Sequence, residues 1–216
     1  MEAFVFNATN TRDLTPYLMD EGLESLRVLP ASFYAGTTAE ERAVVGMKHG
    51  LYGLPTIELV QWLLLQIQER SAIEIGAGHG QLAKALGIVA TDNKMQSAPE
   101  IQDYYKALGQ TPVPYGDHVE HLDAEQAIKK YSPQVVIGSW VTHKYNPDKP
   151  ELEGNMFGVD ETAILDSCQT YIFIGNTHVH RNKPIWARPH QRIEPDWLYS
   201  RAVNGSKDFI AVFNKC

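Results

Sequence analysis

Ser71-Ala-Ile-Glu-Ile-Gly-Ala-Gly-His-Gly-Gln-Leu-Ala-Lys-Ala-Leu-Gly87 reads as a short buried strand, a glycine loop and the first turns of a helix. Ala72 to Ile75 has strand character. Gly76, Gly78 and Gly80 lack a β-carbon, so the loop can take positive φ and a ligand can lie against its backbone. Leu82, Ala85 and Leu86 then share one helical face, with Gly87 placed to end the helix. A helix start behind a glycine loop presents backbone N–H groups that have no partner within the helix. A dinucleotide fingerprint needs its third glycine three positions after the second. That position is Gln81, which disfavours a nicotinamide-dependent oxidoreductase.

Downstream, Ile88 to Lys94 is a β-branched run that carries Asp92, 18 residues after Glu74. That is close to the ~20-residue interval at which a strand-end acid meets a ribose in nucleotide-binding βαβ units. A carboxylate suits the task because it can accept from both adjacent ribose hydroxyls. Pro99 to Leu108 reads as a helix ended by Gly109, and Thr111 to Asp117, with its prolines and glycine, as a loop. Val119 to Ala124 reads as a short strand running into a helix over Ala124 to Tyr131. Gln134 to Val141 is a continuous apolar strand, expected at the centre of a sheet covered on both faces. Its carboxyl end, with Ser139 and Trp140, and the following Thr142 to Asn146 are expected to face a ligand. A polar loop, a helix over Asp160 to Cys168 and a strand over Tyr171 to Gly175 follow. Trp197 to Val203, the Asn204-Gly205 turn signal and Asp208 to Phe213 suggest an antiparallel hairpin.

Upstream, residues 1–54 read as an accessory extension broken by glycines, either a packing segment or a lid. Thr38-Ala-Glu-Glu41 opens a helix there as a capping box. Leu51 onward begins a stronger helix, with Pro55 in its first turn and Val60, Leu63, Leu64 and Ile67 as its buried stripe. The segment with His49, Tyr52 and Thr56 is placed to fold back over the glycine loop.

The pattern Glu74-x-Gly76-x-Gly78-x-Gly80, followed by the strand-end Asp92, resembles the first motifs of the class I S-adenosylmethionine (SAM)-dependent methyltransferases. In that family an acidic strand residue precedes the glycines and the loop passes beneath the methionine part of the cofactor. The resemblance implies an α/β fold, a three-layer αβα Rossmann-like sheet, mostly parallel with a C-terminal antiparallel hairpin. Residues 1–54 would be its N-terminal helical extension or lid and 55–216 the SAM-binding domain. It implies SAM as cofactor, held by Glu74, Gly76, Ala77, Gly78, Gly80, Asp92, Asn93, Asp123, Ala124, Ser139 and the upstream Tyr52. Asp123-Ala124 is similar to the family's pair that meets the adenine, although Asp is also a common helix N-cap. Amino-methylating DNA enzymes of the family carry an Asn/Asp/Ser-Pro-Pro-aromatic tetrapeptide where this chain has Gly138-Ser-Trp-Val141.

The implied activity is methyl transfer to a small-molecule acceptor. A protein that binds SAM or a related nucleoside without transfer is the alternative, since fold does not fix function. His143, Tyr145 and His178 are the candidates for a base or substrate contact, with His143 first because it follows the central strand by two residues. On a strand, His178 and His180 would point the same way and offer two imidazoles. No third ligand stands at a defined spacing, so no metal site is assigned.

At 216 residues the chain suits one domain, and 44% apolar and 21% charged residues are ordinary for a globular protein. A formal charge of −7 argues against broad attachment to nucleic acid. Cys168 and Cys216 are too few for a disulfide framework and suit a reducing cytoplasm. With no basic segment followed by an apolar run at its start, and no membrane-length apolar stretch, the chain reads as soluble and unexported.

Overall fold

The computed structural model describes residues 11–20 and 26–215. The rest of the extension and Cys216 lie outside the described residues. The helices are α1 (Thr15–Leu18), α2 (Ala31–Ala35), α3 (Ala39–Lys48), α4 (Ile57–Ile67), α5 (Gln81–Leu86), α6 (Pro99–Ala107), α7 (Ala124–Tyr131) and α8 (Glu161–Ser167). The strands are β1 (Gly53–Leu54), β2 (Ala72–Ile75), β3 (Val89–Asp92), β4 (Val119–His121), β5 (Val135–Ser139), β6 (Thr170–Asn176), β7 (Gln191–Ile193), β8 (Tyr199–Ser200) and β9 (Asp208–Asn214).

Seven strands form one sheet in the order β4-β3-β2-β5-β6-β9-β7. The five from β2 to β6 run parallel, and β9 is antiparallel to both β6 and β7. After β2 the chain adds strands outward on one side, then returns to place β5 against the other edge of β2. The strand order therefore reverses between β2 and β5, and a crevice opens there at the carboxyl ends.

Side chains along the central strands alternate between the faces, as a period of two requires. Val136, Tyr171, Phe173, Phe209, Ala211 and Phe213 pack with Ala127 of α7 and Ile164 of α8. Val135, Ile137, Ile172, Ile174, Ile210 and Val212 pack with Leu59, Leu63 and Ile67 of α4 and Leu82 and Leu86 of α5. Helices thus cover both faces, which gives the mostly parallel three-layer α/β fold.

The expected hairpin has different partners. The long partner of β9 is β6, in register from Thr170 with Asn214 to Asn176 with Asp208, and its second neighbour is β7. Trp197 to Val203 contributes only β8, which pairs with β1 in a separate two-stranded sheet. Gly205 is in a left-handed turn (φ 71°), but that turn does not join two paired strands. An Asn-Gly signal reports a local bend, whereas β9 buries five consecutive side chains, Phe209 to Phe213, and needs a central neighbour on each side.

Helix α4 starts later than expected. Thr56 is its N-cap, accepting from Leu59 N, so Pro55 precedes the helix. The buried stripe is Leu59, Leu63 and Ile67, and Leu64 is exposed.

The described part of the extension has its own small core, which includes Leu14, Leu18, Tyr34, Val45, Leu51 and Leu54. Thr38 accepts from Glu41 N at 3.1 Å while Glu41 accepts from Thr38 N at 2.9 Å, so the capping box on α3 is complete. Gly53 and Leu54 pair with Ser200 and Tyr199 of β8. A β-carbon on Gly46 would stand 2.6 Å from Arg201 Cβ. The extension is therefore seated against the segment around β8, at the edge of the crevice.

Candidate active site

The glycine loop leaves β2 with Gly76, Gly78 and Gly80 all left-handed, at φ 57°, 54° and 76°. It is tied to β3 by two hydrogen bonds. Ala77 N donates to the Thr91 carbonyl and Gly78 N to Asp92 Oδ2, each at 2.9 Å. The other Asp92 oxygen accepts from Lys94 N at 2.7 Å. Each of these oxygens keeps further acceptor capacity. Burial pushes the Asp92 carboxyl above its ordinary range.

Glu74 explains how α5 is capped. Its N-cap residue is Gly80, which has no side chain to accept a hydrogen bond. Glu74 reaches up from β2 instead and accepts from Ala83 N at 2.8 Å. The side chain is 2% exposed, and burial, with the Asp92 charge adding to it, pushes its pKa up to about 8. At neutral pH Glu74 is mainly the uncharged acid.

A cavity of about 570 Å³ opens over this loop at the strand-order reversal, within the usual range for small-molecule sites. Glu74, Gly76, Ala77, Gly78, Gly80, Asp92, Asn93, Asp123, Ala124, Ser139 and Tyr52 all line it. Asp123 caps α7, with Oδ1 accepting from Gln126 N at 2.8 Å. Asn93 donates to the Phe157 carbonyl at 3.0 Å, which brings the loop before α8 to the same wall. Tyr52 shares a 3.1 Å hydrogen bond with the Tyr105 hydroxyl, and the Arg201 guanidinium lies 3.7 Å from its ring centroid.

His143, Tyr145 and His178 are not brought to this cavity. His143 is buried with Nε2 3.0 Å from the Leu152 carbonyl, and burial, then the Lys183 charge, holds it below the ordinary histidine range. Val141 and Thr142 turn it away from the wall it was expected to reach. His178 and His180 do not form a pair, because β6 ends at Asn176 and a turn follows. His178 is exposed, whereas His180 packs between Trp140 and Phe173, and burial lowers its pKa to about 3. Among the described residues no three His, Cys, Asp or Glu side chains group as metal ligands, and no helix is long and apolar enough to cross a membrane.

Several lining residues carry no local sequence signal. Tyr105, Gln96, Val113 and Tyr115 reach the cavity from α6 and the segments on either side of it. Gln96 holds that strap down by accepting from Val113 N at 2.9 Å. Val113 lies against the glycine loop, its Cγ1 3.4 Å from where a Gly78 β-carbon would stand.

No family model matches the chain, and no curated protein sequence matches it. Solved structures similar to it include precorrin-6y C5,15-methyltransferase from Geobacter metallireducens, 12% identical with a TM-score of 0.39 over 74% of this chain and 89% of that one. A putative O-methyltransferase from Klebsiella pneumoniae is also 12% identical, with a TM-score of 0.39 over 74% and 81% of the two chains. A SAM-dependent methyltransferase from Agrobacterium tumefaciens is 11% identical, with a TM-score of 0.35 over 73% and 61%. Function has to be read from the geometry of the site itself.

Proposed function

We propose that this protein is a SAM-dependent methyltransferase acting on a small-molecule acceptor. The observation that carries the reading is the Asp92 carboxylate. It closes β3, accepts from the glycine-loop amide of Gly78, and lines one cavity with Asp123 at the strand-order reversal. The site suits the cofactor on its own geometry. Gly78 leaves room for a ligand on the left-handed loop, its β-carbon position meeting only Val113 Cγ1 at 3.4 Å, whereas Val141 and Val119 fill that space at Gly76 and Gly80. Asp92 keeps acceptor capacity beyond the two amides it caps, and Asp123 has an oxygen beyond the one that caps α7.

When bound, SAM supplies a methyl group on a sulfonium centre. Asp92 and Asn93 would hold the ribose end, Asp123 and Ala124 the nucleobase, and Gly76 to Gly80 the amino-acid end. The task of Glu74 is to hold the loop and α5 in place, and in its neutral form it adds no charge beneath the ligand. Ser139 and Trp140 would border the reacting end. His143 and His178 do not stand on the wall, whereas His79 of the glycine loop does, its pKa lowered by burial; orientation alone can supply a large part of a rate.

A binder without transfer is the second reading. It is favoured by the way Tyr52, Leu54 and Trp140 wall the reacting end with large side chains.

Calorimetric titration with S-adenosylhomocysteine, comparing wild type with Asp92→Ala, tests the common part of both readings. The substitution should weaken binding by about 1–3 kcal/mol, the range for hydrogen bonds to a charged group. Equal affinity in the two proteins would remove the ribose assignment.

A further inference from the structure

The carboxyl end of β5 holds an arrangement that the nucleoside end of the cavity does not explain. Successive strand residues point to opposite faces, yet Ser139 and Trp140 both line the cavity. The cause is the left-handed backbone of Trp140, at φ 60°. That conformation is disfavoured for a bulky residue, and such outliers concentrate at functional positions. It is held in place by Trp140 N donating to the Ile174 carbonyl at 2.8 Å and by the His180 ring at 5.2 Å.

The turn brings two donors to one place. A β-carbon on Gly53 would stand 3.5 Å from Trp140 Nε1 and 3.6 Å from Ser139 Oγ. Neither group has a hydrogen-bond partner among the described residues, and neither is sealed from the cavity. The Tyr52 ring centroid lies 6.3 Å from that of Trp140, and Leu54 and Leu198 also line the cavity.

We infer that Ser139 and Trp140 form the acceptor subsite, and that it takes a planar aromatic molecule presenting an oxygen anion, a carboxylate or phenolate, to the indole N–H and the serine hydroxyl. An indole nitrogen only donates, so it rejects an ammonium and accepts an oxyanion. Aromatic walls suit a planar ring. An oxygen that arrives ionised has no proton to lose, so the subsite needs no base beside it. Lys144 is the only lysine or arginine among the described residues lining the cavity, alongside the acids Glu74, Asp92, Asp123, Glu125 and Asp160, so the preference for an oxyanion rests on the two donors themselves. The assignment of this ligand as the methyl acceptor rests on the proposed transfer, whereas the subsite itself rests on the geometry.

The test is calorimetric titration of benzoate, with benzylamine as the charge-reversed control, into free protein and into protein saturated with S-adenosylhomocysteine. Wild type is compared with Ser139→Ala and Trp140→Phe, the latter keeping an aromatic ring without the N–H. Benzoate should bind and benzylamine should not, and each substitution should weaken benzoate about five- to tenfold, one hydrogen bond's worth. Gly53→Ala should weaken it too, because its β-carbon presses on Trp140 Cδ1 at 3.3 Å. If Trp140→Phe does not fold, Ser139→Ala decides alone.

Benzoate affinity unchanged by the substitutions, or matched by benzylamine, overturns the subsite. S-adenosylhomocysteine binding without benzoate binding in either form also overturns it and leaves the methyltransferase reading standing. The reverse pattern supports the subsite and overturns the cofactor assignment.

Discussion

Replacing Glu74 with Gln should make the protein more stable at pH 8 while leaving it nearly unchanged at pH 5. The Glu74 carboxyl is 2% exposed and its pKa is pushed from 4.5 up to about 8, burial being the larger cause. Because the folded pKa lies above the unfolded one, the native state binds the proton more tightly. The stabilising contribution is then fully present below pH 4.5 and is lost as pH rises towards 8. Each unit is worth about 1.4 kcal/mol, so the loss by pH 7 is roughly 3 kcal/mol.

Glutamine keeps a carbonyl oxygen to accept from Ala83 N and carries no titrating proton, so it removes the slope while preserving the cap on α5. The comparison must be between the two proteins, because other groups titrate in the same range. His79, His143 and His180 have lowered pKa values, and their contributions rise with pH, opposite in sign to that of Glu74. Urea denaturation of both proteins at pH 5, 6, 7 and 8 gives the difference directly. The variant should gain about 2–4 kcal/mol over wild type between the lowest and highest pH. A difference that stays constant to within about 0.5 kcal/mol, the scale of a neutral surface change, would refute the burial argument.

Other substitutions probe the loop and the scaffold behind it. Gly78→Val should keep the fold, since the nearest atom to its β-carbon is Val113 Cγ1 at 3.4 Å, at a backbone cost of about 1–2 kcal/mol. It should abolish S-adenosylhomocysteine binding, and a folded variant with normal affinity would show that the loop is only a turn. Gly138→Ala would drive its β-carbon into Tyr171 Oη and should lower stability by about 1–3 kcal/mol; thermal melts of this variant with and without Tyr171→Phe would show whether removing that hydroxyl relieves the clash. Lys183 and Glu161 form an ion pair with both side chains 1% exposed, and Glu161 also accepts from the Tyr171 hydroxyl at 2.8 Å. Lys183→Met should cost about 3–5 kcal/mol by leaving the carboxylate unpaired, and adding Glu161→Gln should return part of that loss in urea denaturation.

The glycine-loop end of the cavity was legible because it is local in the chain. Glu74, the three glycines and Asp92 fall within one strand, loop, helix and strand, and their spacing alone brings them to one crevice. The capping box at Thr38 and the apolar run at Val135 to Ile137 were legible for the same reason, since a cap or a continuous apolar run is read from adjacent residues.

What the sequence could not settle is which distant segments meet. Phe209 to Phe213 plainly forms a strand, but only packing on both of its faces sets it between β6 and β7 rather than beside Trp197 to Val203. Tyr105 enters the cavity from α6 and Tyr115 from the strap that follows it and folds back over the glycine loop, and their own neighbours in the sequence do not mark this. The expectation for His143 assumed that a residue two positions past a central strand faces the ligand. The left-handed turn at Trp140 changes the direction of the chain there, bringing Ser139 and Trp140 to the wall and carrying His143 behind it. The sequence by itself determined the strand, loop, helix and acid that build the glycine-loop end of the cavity, because each is a short-range pattern of backbone freedom and burial. Only the tertiary structure decided which side chains at the end of β5 face the cavity and that Glu74 is held mainly uncharged at neutral pH, because orientation and desolvation depend on atoms far away in the chain.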